Sequence, residues 1–378
     1  MIQHATLRQS VPETVVARQL AFAIIVPTLN ERANVRPLLD LIEAALGEIA
    51  WEVIFVDDDS RDGTADAVRA IGRVDPRVRV VHRVGRRGLS SAVVEGILAS
   101  SAPVLAVMDA DLQHDERILP QLYEAVAVEG YDLAVGSRYV PGGGVGEFAS
   151  HRVAKSQFAT RLAKPILKTP LTDPMSGFFA ISREAFNAAL PHLSSIGFKI
   201  LTDLVASVPR PMRAKEVPFT FRTRQHGESK LDSAVAWEYL MLLLDKLVGH
   251  VFPVRFLLFA LVGGAGLGVH LATLGLLNQG ARVVFEIANP IAIVTAMTFN
   301  FLVNNFLTYR DRRLKGLKIV RGLLSFYLVC SVGALANVGI GNYVVSHHYM
   351  WWVAGIAGAI VGAVWNFAAS SIFTWRKS

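Results

Sequence analysis

Short apolar runs alternate with helix-spaced patterns through the first third of the chain. Ala21–Pro27, Trp51–Val56, Val78–Val81, Val104–Met108 and Asp132–Gly136 read as strands. Between them Val35–Leu46, with Leu38, Leu39, Ile42 and Leu46 at helical spacing, reads as a helix, as do Thr64–Ile71, Leu89–Ser100 and Leu119–Glu129. Strands that alternate with helices predict an α/β domain whose mostly parallel sheet is covered on both faces. On such sheets ligands bind at the carboxyl ends of the strands.

The pattern changes after Pro253. Four apolar stretches follow, Phe256–Leu277, Val284–Phe306, Ile319–Val344 and Met350–Phe373. Each is long enough to cross a hydrocarbon core of about 30 Å. Ahead of them, His151–Lys168 and Leu231–His250 mix basic and aromatic residues with leucines, as helices lying on a bilayer surface do. The plainer alternative is helices packed against the sheet. The expected organisation is an N-terminal extension (1–20), a catalytic α/β domain (21–230), an interfacial amphipathic helix (231–252) and a transmembrane domain of four spans (253–378).

Charge gives these spans a direction. Charged residues are dense before Arg255 and sparse after it, except in Tyr309–Arg321, which holds Arg310, Arg312, Arg313, Lys315, Lys318 and Arg321. By the positive-inside rule that connection is cytoplasmic. Four spans then put the C-terminus and the α/β domain on the same side. Met1–Leu20 shows no apolar core and no cleavage pattern, which agrees. The net charge of +7 reads as membrane anchoring and anionic-lipid contact rather than nucleic-acid binding, because the basic residues sit beside apolar spans. A single cysteine, Cys330, excludes a disulfide framework within the chain. No oligomeric state follows from the pattern.

Two acidic clusters stand directly after strands: Asp57-Asp58-Asp59 and Asp109-Ala110-Asp111. Two carboxylates one residue apart at a strand end can share one hard cation, Mg²⁺ or Mn²⁺, which prefers oxygen ligands and bridges carboxylates to phosphates. Three adjacent carboxylates repel one another unless donor groups or a cation lie nearby. Pro141–Gly146 is glycine-rich and reads as a flexible loop near the site. His114 follows the second cluster and is a minor metal candidate, whereas His347-His348 lies in an expected outer connection without sequence partners. Gly264, Gly266 and Gly268 fall inside a span, so they are packing glycines and no dinucleotide fingerprint.

Five segments taken in order, Pro27-Thr28-Leu29-Asn30-Glu31, Val56–Thr64, Asp109–His114, Asp173-Pro174-Met175-Ser176-Gly177-Phe178-Phe179 and His226–Leu231, resemble the motifs of the dolichol-phosphate (polyprenol-phosphate) mannose synthases, which are inverting family 2 glycosyltransferases. The tail, ending in Asn366-Phe367 and Phe373-Thr374-Trp375, resembles the GtrA-like membrane domain fused to some of them. The resemblance implies a GT-A (Rossmann-like) fold and transfer of mannose from GDP-mannose to a polyprenyl or dolichyl phosphate in the bilayer. It implies that Pro27, Leu29, Glu31, Val56 and Asp58 line the nucleotide pocket. Asp109, Asp111 and Gln113 would hold Mg²⁺ or Mn²⁺, with Ala110 near the donor. Lys199, Arg224 and Lys230 would contact the diphosphate, Arg138 and Arg152 would face the donor or the acceptor lipid phosphate, and Ser176 the lipid phosphate, with Asp109, Asp111 and Arg138 as the catalytic residues. The family often carries an aromatic residue where this chain has Leu29. The rival readings are the same chemistry with UDP-glucose or another hexose, and a flippase or scaffold role for the membrane domain. A processive synthase would carry a Gln-x-x-Arg-Trp motif, absent here.

Overall fold

A computed structural model describes residues 19–146, 159–194, 197–222, 233–249, 253–346 and 351–376. The chain divides into two compact units with the boundary between Leu247 and Val248.

The first unit is built on a seven-stranded mixed sheet. Its strands are β1 Phe22–Thr28, β2 Trp51–Asp57, β3 Val78–His82, β4 Val104–Val107, β5 Leu133–Ser137, β6 Phe179–Ser182 and β7 Ala214–Pro218, in the order β3-β2-β1-β4-β6-β5-β7. The five expected strands form within a residue or two of their expected limits. β1, β2 and β4 pair in parallel in one register, with Phe22 beside both Trp51 and Val104. β6 and β7 were not read from the sequence. β6 runs antiparallel between β4 and β5. Its N-terminal end therefore meets the C-terminal ends of β1, β2, β4, β5 and β7 at one edge of the sheet, which puts the Asp173–Phe178 segment at that edge as well.

Helices α1 Arg32–Leu46, α2 Thr64–Gly72, α3 Leu89–Leu98 and α4 Leu119–Ala127 cover the sheet as the apolar spacing requires. In α1 the buried positions Val35, Leu38, Leu39, Ile42 and Leu46 form a single stripe. On the other face, Gly96 of α3 lets the helix lie directly on β1 and β2. A Cβ at Gly96 would sit 2.6 Å from Ile25 Cγ2 and 2.8 Å from Val56 Cγ2. Gly96→Ala is expected to destabilise the first unit by about 1–3 kcal/mol through overpacking, measured as a lowered thermal midpoint.

Three further helices complete the first unit, α5 Arg183–Ala189, α6 Ile200–Ser207 and α7 Ser233–Val248. α6 is buried along its whole length. The segment expected to be interfacial, Leu231–His250, forms α7 with one face docked: Tyr239 Oη donates to Ala159 O at 2.7 Å, and Lys246 Nζ lies 2.6 Å from Asp203 Oδ1 on α6. Leu240 and Leu247 stay exposed on α7. Of the other expected interfacial segment, 147–158 lies outside the described residues; 159–163 is helical, with Leu162 exposed and Ala163 buried.

The second unit is helical: α8 Val254–Gly275, α9 Phe285–Phe306, α10 Leu317–Ser346 and α11 Trp351–Ala369, with a π-helical turn continuing α8 to Gly280 and another continuing α11 to Thr374. Among the described residues, three helices are long and apolar enough to cross a membrane, Val254–Gly280, Phe285–Phe306 and Leu317–Leu335. Their surfaces expose Leu261, Leu271, Leu324, Leu328 and Leu335. Such an apolar surface is an aggregation hazard in water and ordinary in lipid.

Several polar residues of these helices are hydrogen-bonded within the unit. Asn305 Oδ1 accepts from Trp375 Nε1 at 3.0 Å and from Leu314 N at 2.9 Å, and Thr308 Oγ1 donates to Asn304 Oδ1 at 2.6 Å. One sequence frame occurs twice. Asn300-Phe301-x-x-Asn304-Asn305-x-x-Thr308-Tyr309-Arg310 ends the first helix pair, and Asn366-Phe367-x-x-Ser370-Ser371-x-x-Thr374-Trp375-Arg376 ends the second. In each pair the Asn amide packs against a glycine of the preceding helix, Asn300 on Gly266 and Asn366 on Gly333. Tyr309 and Trp375 stack with ring centres 4.1 Å apart and planes 5° apart. Their polar atoms cross over: Tyr309 Oη pairs with Ser371 Oγ at 2.7 Å while Trp375 Nε1 donates to Asn305.

Candidate active site

Six segments meet at the strand-end edge of the first unit: the turns after β1, β2, β4, β5 and β7, and the stretch before β6. Three non-glycine residues there have left-handed backbone, Asn30 (φ 57°), Asp59 (φ 60°) and Leu112 (φ 61°), one after each of β1, β2 and β4. Each such residue costs on the order of 1–3 kcal/mol, and such strain gathers at functional sites.

The turns after β1 and β2 are tied to each other. Asp62 accepts the backbone N–H groups of Arg32 and Thr64 at 3.0 Å each, and Thr64 Oγ1 accepts from Glu31 N at 3.0 Å. Asn30 N donates to Ser60 Oγ at 2.8 Å, and Arg61 N to Asn30 Oδ1 at 3.0 Å. Burial raises the pKa of Asp62, but the Thr64 hydroxyl and the Arg32 and Thr64 amides outweigh it and hold the carboxyl below the usual range. The three adjacent carboxylates find the donors they require. Asp57 accepts from Ser60 N at 3.1 Å, Asp58 from Arg83 Nη1 and Gly88 N at 2.7 Å each, and Asp59 lies 3.5 Å from His82 Nε2. Arg83 has no local signal in the sequence, because it reaches Asp58 from the neighbouring strand, with only 3% of its side chain exposed. Asp58 is itself buried, and burial pushes its pKa up.

The turn after β4 carries the acidic pair. Asp109 keeps 38% of its side chain exposed, and Asp111 Oδ1 accepts from Gln113 N at 3.2 Å. Gln113 Nε2 donates to Arg222 O at 3.0 Å, which leaves Oε1 as the amide atom able to meet a cation. Arg222 returns a backbone bond to Gln113 O at 2.9 Å, and its guanidinium grips Asp115 at 2.7 Å and Glu116 at 2.6 Å. His114 is buried. Its Nδ1 accepts from Asp109 N at 3.1 Å, and its ring stacks on Phe178 at 4.9 Å. Burial pushes its pKa down against the pull of Asp109 and Asp111, and because Nδ1 accepts the Asp109 N–H, the ring proton stands on Nε2. A protonated Nε2 is no metal ligand. Among the described residues no third His, Cys, Asp or Glu joins Asp109 and Asp111 in a metal group. The donor set suits a hard cation that takes its remaining oxygens from a phosphorylated ligand.

Arg138, after β5, is held by Asp173 from the stretch before β6. Nε donates to Oδ2 at 2.7 Å and Nη2 to Oδ1 at 2.8 Å, and Asp173 is fully buried. Burial lowers the Arg138 pKa, but the Asp173 bond and charge prevail and hold it above its usual range. Glu216 of β7 braces the same stretch by accepting from Thr172 N at 3.0 Å and Asp173 N at 3.2 Å. Lys199 donates to Met175 O at 3.2 Å. Burial and the Arg138 charge lower its pKa, while Asp109 and Asp173 raise it, so the four charges act on one another across one site.

The structure thus gathers Asp109, Asp111, Gln113, Arg138 and Lys199, with Leu29, Glu31, Asp58 and Ala110 on neighbouring turns and Pro27 near the end of β1. Arg152, Arg224 and Lys230 lie outside the described residues, as do the His226–Ser229 loop and His347-His348. Two expectations change. The Val56 side chain is fully buried under α3, so only its backbone belongs to the strand end. The Ser176 hydroxyl donates to Gly136 O at 2.7 Å and accepts from Phe178 N at 3.1 Å, so it braces the turn before β6 rather than facing a phosphate. The glycine-rich segment Pro141–Gly146 is also no loose loop. Gly144 bridges Thr220, and a Cβ at Gly143 would meet Ser137 O at 2.7 Å. Sequence reasoning missed Arg83, Glu216 and Arg222, each of which joins segments far apart in the chain.

Comparison with known proteins accounts for both units. The model of glycosyl transferase family 2 matches residues 23–190, and that of the GtrA/DPMS transmembrane domain matches residues 258–375. The chain is 35% identical over 359 residues to the dolichol-phosphate mannosyltransferase of Pyrococcus furiosus, an alignment covering 93% of this chain and 99% of that protein. It is 38% identical to the dolichol-phosphate mannosyltransferase of Saccharomyces cerevisiae over 61% of this chain and 88% of that one. The polyprenol monophosphomannose synthase of Mycolicibacterium smegmatis is 34% identical over 56% of this chain and 81% of its own.

Proposed function

The chain belongs to the dolichol-phosphate mannosyltransferases, a family 2 glycosyltransferase domain joined to a GtrA/DPMS transmembrane domain, and from that premise we propose how its own residues carry out the transfer. The reaction moves mannose to a polyprenyl-type phosphate. The donor in this reading is GDP-mannose. The observation that carries the site assignment is the meeting of Asp109, Asp111, Arg138, Asp173 and Lys199 at one sheet edge.

A lipid phosphate is ionised at neutral pH, so its oxygen needs no strong base before it attacks the sugar C1. The protein's task is alignment and charge. In-line displacement from the face opposite the nucleotide inverts the centre and gives a β-linked lipid phosphomannose from an α-linked donor. Pro27, Leu29, Glu31, the Val56 backbone and Asp58 frame the nucleotide. Asp109, Asp111 and Gln113 would hold Mg²⁺ or Mn²⁺, with Ala110 between the two carboxylates beside the donor. When bound, the cation supplies positive charge to the departing diphosphate. Asp173 occupies Nε and Nη2 of Arg138 and leaves Nη1 for a phosphate, and Lys199 adds a second cation beside it. Arg152 is assigned to the lipid phosphate, and Arg224 and Lys230 to the diphosphate. The exposed Leu162, Leu240 and Leu247 rest on the bilayer surface. α8–α11 form four spans, with the basic Arg310–Arg321 connection, the catalytic unit and the C-terminus on the cytoplasmic side.

The test is transfer from radiolabelled GDP-mannose to a polyprenyl phosphate, with Mn²⁺, with Mg²⁺ and with EDTA. The expected result is a lipid product that chelation removes and added metal restores. Product from UDP-glucose alone would overturn the donor, and product that survives chelation would overturn the metal.

A further inference from the structure

His114 stands behind the acidic pair, yet nothing in the reaction as described uses it. It is 4% exposed. Its ring lies between aromatic walls, stacked on Phe178 with 13° between the planes and set edge-on to Phe219 at 5.8 Å and Phe221 at 5.7 Å. Among the described residues, the polar contact within hydrogen-bond reach is at Nδ1, and its donor is the backbone N–H of Asp109. Nε2 lies 3.8 Å from Asp109 Oδ2. Gly177 closes the other side, where a Cβ would stand 3.2 Å from Asp109 Oδ2 and 3.5 Å from His114 Cε1. Along the chain, Leu112 stands between Asp111 and His114, buried, in a left-handed backbone that L residues avoid.

We propose that His114 is a positioning residue for the cation: by accepting the Asp109 N–H inside a fixed aromatic cage, it closes the Asp109–His114 turn and sets the Asp109 carboxylate beside that of Asp111. The inference rests on the metal reading above. The ring is no ligand, because the nitrogen that could accept is already bound to the backbone of the ligand residue. Leu112 leaves the turn strained, and a strained turn keeps its shape only when its surroundings over-determine it. The Asp109–His114 bond does so from within, and the Gln113–Arg222 bonds do so from outside. A histidine that merely filled the core would leave cation affinity untouched when replaced by another ring of similar size.

The experiment is a Mn²⁺ titration by electron paramagnetic resonance on the full chain in lipid nanodiscs with GDP present, for the native protein, His114→Phe and His114→Asn. Phe keeps the ring and removes the acceptor. Asn removes the ring and offers an amide oxygen at the reach of Nδ1. Loss of a partner that orients a metal ligand weakens metal binding by about 10–100-fold. His114→Phe is expected to weaken Mn²⁺ by that factor and to raise the Mn²⁺ needed for half-maximal transfer in parallel, with kcat at saturating Mn²⁺ within a few-fold of native. His114→Asn is expected to recover most of the affinity. Native-like Mn²⁺ binding by a folded His114→Phe, or a loss in His114→Asn as deep as in His114→Phe, would overturn the proposal. Failure of the native protein itself to bind Mn²⁺ with GDP would overturn the metal reading and the inference with it, which separates the two.

Discussion

Asp111→Asn is expected to lower mannosyl transfer by about 10³-fold or more, close to 4 kcal/mol in the transition state. The substitution keeps the shape of the side chain and an oxygen for the Gln113 N–H, which now bonds Oδ1 at 3.2 Å, so the turn persists. The lost quantity is one of the two negative charges proposed to hold the cation. Steady-state kinetics with GDP-mannose and varied Mn²⁺ measure it, beside a thermal melt. A loss of rate with an unchanged melt and a raised Mn²⁺ requirement is the signature of a ligand. Equal rates in mutant and native protein would remove Asp111 from the metal site.

The second large effect is structural. Asp173→Ala is expected to destabilise the catalytic unit by about 3–5 kcal/mol, because it leaves the Arg138 guanidinium buried without its counter-charge. Asp173 is fully buried and Arg138 only 12% exposed, so water cannot replace the lost partner. In a unit of this size the shift is roughly 6–20 °C in thermal midpoint. Transfer falls too, since Arg138 loses its fixed direction. Arg138→Met together with Asp173→Ala is the informative companion. It removes both charges and is expected to recover stability without activity. A double variant as unstable as Asp173→Ala would show that the pair's charges are not the cause.

The parallel half of the fold was legible because burial on both sheet faces writes continuous apolar strands, such as Phe22–Val26, and single apolar stripes, such as that of α1. The two missed strands lack that mark. β7, Ala-Lys-Glu-Val-Pro, is an edge strand with one buried residue, and β6 is only four residues long and starts inside the Asp173–Phe179 motif. Yet β6 matters most to the site, because its reversal brings Asp173 to Arg138. The acidic turns were legible from their position after strands. Arg83, Glu216 and Arg222 were not, since a partner 25 to 107 positions away leaves no local trace. Val56 and Ser176 sit within motif segments, but their side chains turn into the fold, which a motif read along the chain does not reveal.

The crossed bonds of Tyr309 and Trp375 give the membrane unit an internal axis. Each aromatic residue reaches the position four places before the other, so the contact is self-complementary in the way of two-fold protein dimers. Here both partners belong to one chain. Their meeting is intramolecular and set by the linker between the helix pairs, not by how many molecules share the bilayer. Dilution in lipid therefore leaves this association intact, with Tyr309 and Trp375 both fully buried in the membrane unit.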